Sequence, residues 1–123
     1  MHRSRLATIC IDYDESSMEA GTRFWSQALG IRQESPAGPY VDFKEMVGPL
    51  GIGAQRIGAP SRIHLDIESD DLEAEVRRLE GLGARKKEFI ENWWVMEDPT
   101  GMLFCVVPQA NEKSLDDANV WDG

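Results

Sequence analysis

The strongest constraint on what this chain can fold into is the stretch Arg62–Pro108, where strict alternation gives way within a few residues to helical spacing. Ile63, Leu65 and Ile67 point one way, and Arg62, His64 and Asp66 the other. Period-two alternation describes a strand with one apolar and one chemically equipped face. A helix is predicted next, with Asp70 as N-cap and Glu73 completing a capping box. Leu72, Val76, Leu79 and Leu82 make its apolar stripe, and Gly83 stops it. Glu73 and Arg77 support it weakly from the wet side. Three short strands follow, around Arg85–Ile90, Trp93–Glu97 and Met102–Val107. Asp98-Pro99-Thr100-Gly101 joins the last two through a strong turn signal.

The first half of the chain repeats this order. In Leu6–Asp12, Ala7, Ile9 and Ile11 form an apolar face, while Thr8, Cys10 and Asp12 form the other. Ser16 with Glu19 predicts a second capping box. Met18, Gly21, Phe24, Trp25, Ala28 and Leu29 share one side of a helix ended by Gly30, with Phe24 and Trp25 read as core. Strands are expected at Ile31–Glu34, Tyr40–Met46 and Gly51–Ile57, and Gly58-Ala59-Pro60-Ser61 reads as a linker. Cys10 and His64 occupy matching positions. The register that aligns Gly48-Pro49-Leu50-Gly51 with Asp98-Pro99-Thr100-Gly101 also sets Gln55 opposite Cys105. The expected organisation is one α+β domain over residues 1–110, made of βαβββ modules at 5–58 and 62–108. An acidic tail at 111–123, irregular or weakly helical, is held by Trp121.

Charge and composition narrow the function. A net charge of -9 opposes binding to nucleic-acid phosphates. No apolar run approaches the roughly 20 residues needed to cross a bilayer. The N-terminus lacks the apolar segment of a signal peptide, and two cysteines make no disulfide framework, so a cytoplasmic protein is expected. Open sheet edges call for a partner surface, which makes a homodimer the expected assembly.

The ordered set of motifs resembles the vicinal oxygen chelate superfamily of glyoxalases, extradiol dioxygenases and bleomycin resistance proteins. Arg62-Ile63-His64-Leu65-Asp66, Asp71-Leu72-Glu73-Ala74-Glu75-Val76 and Leu82-Gly83-Ala84 are similar to its glyoxalase-like branch. So are the ending Asp98–Val107, the triplet Gln55-Arg56-Ile57 and the Phe24-Trp25 helix that ends at Leu29-Gly30. The resemblance implies two modules forming a curved, cup-like sheet. It places the superfamily's four metal positions on Cys10, Gln55, His64 and Cys105. Only His64 has the residue type the enzymes use, and both glutamate positions are changed.

Hard divalent metals prefer nitrogen and oxygen donors, so no catalytic metal is expected. Cys10, Cys105 and His64 with Gln55 or water form the alternative, a zinc set. Without metal, His64 is the candidate catalytic group, a general base or hydrogen-bond donor oriented by Asp66 or Arg62, with an interstrand structural histidine as the competing reading. Cys10, Gln55, Cys105, Arg62 and Asp66 are candidate ligand contacts. One indole of Trp93-Trp94 belongs to the core, and the other stacks on a planar ligand, for which Trp94 is the candidate, or meets a partner chain. Arg56 is a further polar contact, and Asp12 a possible acid or base. Three functions compete: a metal-free small-molecule binder, a bleomycin-type protein sequestering a cationic drug, and a metal-dependent lyase or isomerase.

Overall fold

The computed structural model describes residues 1–34, 37–43 and 50–122. Among them are eight strands and two helices, in the order β1 (His2–Tyr13), α1 (Met18–Leu29), β2 (Tyr40–Asp42), β3 (Gly51–Arg56), β4 (Arg62–Ser69), α2 (Leu72–Gly81), β5 (Arg85–Ile90), β6 (Trp93–Glu97), β7 (Leu103–Pro108) and β8 (Asn119–Trp121). The chain divides into two compact units, Thr8–His64 and a second built from Met1–Ala7 with Leu65–Gly123. The long strands β1 and β4 each supply residues to both.

In the Thr8–His64 unit, β3 lies parallel to β1 and antiparallel to β2. Tyr13, Met18, Val41 and Ala54 form its buried cluster, with Ile11 packed against them. Tyr13 and Ile11 leave β1 on the same side, so α1 covers that side and the Cys10–Asp12 side is left for chemistry. Helix α1 does not start with the expected capping box. Ser17 is the N-cap and makes no side-chain cap bond. The Asp14 carboxylate takes both the backbone N–H (3.0 Å) and the hydroxyl (3.3 Å) of Ser16, so a local turn wins the competition for that serine. Gly30 ends the helix at φ +67, a left-handed cap that glycine adopts without steric cost.

The buried side of α1 also differs from expectation. Met18 and Thr22 face inward, whereas Phe24 is 59% and Trp25 36% exposed, their rings packing edge to face on each other. Polar Thr22 tolerates burial because its hydroxyl donates to the Met18 carbonyl at 2.9 Å, and Ser26 likewise donates to the carbonyl of Ile31. The expected strand at Ile31–Glu34 is reduced to an isolated bridge between Gln33 and Phe43. Of the expected strand Tyr40–Met46, Lys44–Met46 lie outside the described residues, as do Gly48 and Pro49 of the following turn.

The second unit follows the same logic. Its module-opening strand β4 pairs in parallel with β7, and β6 lies antiparallel to both β7 and β5. Val76, Leu79, Met96 and Val106 form the core under α2, with Ile67, Leu72, Ala84, Trp94 and Phe104 packed around them. Each fully buried Val or Met side chain is worth about 1.5–3 kcal/mol of apolar transfer. The alternation of β4 sends Ile67 to this core, but Ile63 is 58% and Leu65 44% exposed, so α2 covers only the end of the apolar face. Leu82 of the expected helix stripe is exposed as well.

Asp71, one residue later than expected, caps α2 by accepting from the Ala74 N–H at 3.0 Å. Asp70 is taken by Arg3, whose backbone N–H (2.8 Å) and Nε (3.1 Å) both donate to it. The Asp98 turn forms as expected. Its carboxylate accepts from the Thr100 N–H and hydroxyl, each at 2.7 Å, and from Met102 N–H at 3.0 Å. The tail ends not in irregular or helical chain but in β8, antiparallel to β1, with Leu115 fully buried before it. Trp121 does anchor it, donating to the Ser4 hydroxyl at 2.9 Å beneath the Arg78 guanidinium.

Candidate functional site

On β1, residues two apart share a face, so Cys10 and Asp12 project together, opposite Ile11 and Tyr13. Their partners on β3 are Gly53 and Gln55, which puts Gln55 beside Asp12 rather than beside Cys10. Arg62 and His64, also two apart, reach the same carboxylate from the start of β4. Asp12 Oδ2 lies 2.7 Å from His64 Nδ1 and 3.3 Å from Arg62 Nε, while Asp12 Oδ1 receives the Cys10 thiol at 3.7 Å.

The Asp12 side chain is 1% exposed and that of His64 10%, whereas that of Arg62 is 46% exposed. A buried carboxylate requires compensation, and here an arginine and an imidazole provide it. An ionised carboxylate only accepts, so the Nδ1 of His64 that faces it carries a hydrogen. A carboxylate-oriented histidine with a fixed tautomer is the usual arrangement for moving a proton or binding a ligand's polar group.

Asp12 is the residue on which the site's polar groups converge. It enters the sequence reading only as one possible acid or base. The signal was available in the matching alternation of Thr8-Cys10-Asp12 and Arg62-His64-Asp66.

The remaining candidates lie in the second unit. Asp66 and Cys105 are cross-strand partners on the face away from the helix-side core, which holds their neighbours Ile67 and Val106. Trp94 belongs to that core. It pairs with Val106, packs against the cluster under α2, and donates to Glu73 Oε1 at 3.2 Å. The ligand-stacking role expected of Trp94 is therefore at odds with its position. By alternation, Trp93 is the indole that shares the face of Val95 and Cys105.

The model of the glyoxalase-like domain matches residues 8–107, most of the chain. The chain belongs to the glyoxalase-like domain family. Solved structures agree with this domain in fold. A hypothetical protein from Bacillus halodurans C-125 is 12% identical, covers 89% of this chain and 96% of its own, and superposes with a TM-score of 0.65. Methylmalonyl-CoA epimerase from Mycobacterium tuberculosis is 16% identical over 87% of this chain and 89% of its own, with a TM-score of 0.57. The Mn(II)-bound glyoxalase from Novosphingobium aromaticivorans is 15% identical over 88% of this glyoxalase-like chain and 40% of its own, with a TM-score of 0.64. These likenesses establish the α+β fold of the vicinal oxygen chelate proteins. No curated protein sequence matches the chain.

Among the described residues, Cys10, Asp12 and His64 form a group whose ligand atoms all lie within 4.8 Å of one another. A thiol is a poor partner for manganese or another hard ion, and Asp12 is already engaged by Arg62, His64 and Cys10. This donor set does not fit the hard metal that a glyoxalase fold suggests. Its sulfur, nitrogen and oxygen atoms are donors of the kind zinc accepts.

Proposed function

We propose that this glyoxalase-like protein binds a small organic molecule against the face carrying His64, without a catalytic metal. The observation that supports the reading is the Asp12–His64 pair, 2.7 Å apart and held away from solvent. With Nδ1 turned to Asp12, the imidazole is the group proposed to exchange a proton or hydrogen bond with a ligand hydroxyl or acidic group. The half-exposed Arg62 offers N–H donors for an oxygen of the same ligand. Cys10 and Gln55 flank the pair as ligand contacts; in the second unit, taken by itself, the cross-strand partners Asp66 and Cys105 are the proposed contacts.

The test is a ligand screen by thermal shift, followed by affinity measurements on His64→Ala and Arg62→Gln. Loss of affinity about tenfold or more, with the fold intact, supports the reading. Unchanged affinity in both variants assigns His64 to structure alone.

The compact Cys10–Asp12–His64 group favours a second reading, a zinc-dependent lyase or isomerase. Metal analysis of protein purified without chelator decides it: one equivalent of zinc, lost in Cys10→Ser, supports it, and substoichiometric metal removes it. The net charge of -9 supports a third, sequestration of a cationic drug. A flat tryptophan-fluorescence titration with cationic glycopeptides rejects that.

A further inference from the structure

Within the Thr8–His64 unit, strand register lines up a row of side chains that ends at the Asp12–His64 pair. Tyr40 on β2 is the cross-strand partner of Gln55 on β3, and Gln55 is the partner of Asp12 on β1. Residues directly opposite each other project from the same face of a sheet, so all three share the face on which His64 meets Asp12. Their sequence neighbours take the other face: Val41, Ala54 and Tyr13 lie together in the helix-side core. Arg56, expected among the contacts of the His64 face, leaves β3 on that core side with Ala54.

The two ends of the row differ in kind. Asp12 and His64 are withdrawn from solvent, whereas Tyr40 is 41% exposed although the next residue, Val41, is 4% exposed. The Tyr40 backbone is fixed on both edges, by Gln55 and by a bridge to Ala37, so its ring stands on an ordered platform. Adjacent strands are about 4.8 Å apart, which sets Tyr40 about 10 Å from Asp12 along the sheet. Between them the half-buried Gln55 amide both donates and accepts hydrogen bonds. An open aromatic ring at one end and a proton-exchanging pair at the other match a planar molecule with a polar group at its tip. The net charge of -9 favours a neutral molecule over an anion.

We propose that Tyr40 is the stacking residue of the His64 site and that the site takes a neutral fused-ring aromatic bearing a hydroxyl group. The rings lie on Tyr40, pass Gln55, and bring the hydroxyl to the imidazole. This inference rests on the reading of His64 as a ligand contact, and it gives Tyr40 the role expected of Trp94.

The probe is β-naphthol, titrated into the full chain and followed by two-dimensional NMR. Its methyl ether keeps the rings but has no O–H to donate, and decahydro-β-naphthol keeps the hydroxyl without an aromatic face. Saturable shifts at the Tyr40 and Gln55 amides are expected, with both analogues binding at least about fivefold more weakly. Tyr40→Ala and His64→Ala should each weaken β-naphthol by about tenfold, and Tyr40→Phe, which keeps the ring, should bind within about twofold of the parent. The proposal is overturned if those amides show no saturable shifts, or if either analogue matches β-naphthol. Affinity lost in His64→Ala but kept in Tyr40→Ala overturns the role of Tyr40 and leaves the reading of His64 standing. Affinity kept in both variants removes the two together.

Discussion

The Nδ1 of His64 stands 2.7 Å from Oδ2 of Asp12, and the Asp12 side chain is 1% exposed. The two residues lie 52 positions apart in sequence, so their meeting is a product of the fold rather than of local chain. Because Arg62 Nε also donates to Oδ2, the carboxylate holds two basic side chains at once.

Replacing Asp12 by alanine removes the acceptor these groups share. The expected cost is about 1–3 kcal/mol, the range for leaving buried partners unsatisfied. The double-mutant cycle with His64→Ala should show coupling of about 0.5–3 kcal/mol in urea unfolding. Coupling indistinguishable from zero would mean that the pair is geometric proximity without energetic consequence.

Acid stability should depend on Glu75, which is fully buried on α2. Burial, the largest influence, raises its pKa, but hydrogen bonds from Arg78, Ser4 and His2 together outweigh it and hold it below the ordinary value. Arg78 grips both oxygens, at 2.7 and 2.9 Å, and His2 Nε2 lies 2.9 Å away. A carboxylate with a depressed folded pKa contributes stability that is complete above its unfolded pKa and disappears as pH falls through the folded value. Glu75→Gln should therefore flatten the fall in stability as pH drops below the ordinary carboxylate range. At neutral pH, Glu75→Ala should cost about 3–5 kcal/mol, since Arg78 and His2 lose a buried partner. Denaturant unfolding at stepped pH measures both effects; an unchanged acid limb in Glu75→Gln contradicts the first.

Much of this was legible in the sequence wherever local rules and tertiary packing agree. The strands expected as short runs at Arg85–Ile90 and Trp93–Glu97 fall at those residues, and the Asp98 turn has the bonds its residue types favour. The failures come from competition that spacing does not reveal. Asp70 and Asp71 are equally good caps, and only the distant Arg3 decides between them. Thr22 and Ser26 displaced Phe24 from the inner side of α1 because their hydroxyls satisfy themselves on backbone carbonyls. Trp93 and Trp94 alternate as expected, yet which indole meets the helix depends on register with Val106. Within the candidate site, residue types and faces were readable, but the choice of Asp12 as the partner of His64 depended on strand placement.

The C-terminal strand should be held by two separable contacts of Trp121. Its indole N–H donates to Ser4 at 2.9 Å, and Arg78 lies 3.8 Å over its ring. Trp121→Phe keeps an aromatic face and removes the donor, so it should cost about 0.5–1.5 kcal/mol. Trp121→Ala removes both and should cost more, with faster amide exchange at Asn119–Trp121. Equal losses in the two variants would mean that the cation–π contact contributes nothing measurable.

The last prediction concerns Gly21 and reverses a general expectation. In a helix interior, Gly→Ala ordinarily stabilises by about 1 kcal/mol. At position 21 of α1 an added Cβ would fall against the ring of Tyr13 and its hydroxyl. That ring is 8% exposed and packed among Met18, Val41 and Ala54, so moving it disturbs the whole cluster. Overpacking of this kind costs about 1–3 kcal/mol, enough to overturn the propensity gain. Gly21→Ala should therefore lower the melting temperature. In a Tyr13→Leu background, where the ring is gone, the same substitution should be neutral or stabilising. Stabilisation by Gly21→Ala in the parent chain would show that Tyr13 yields freely and that this close approach does not order the unit.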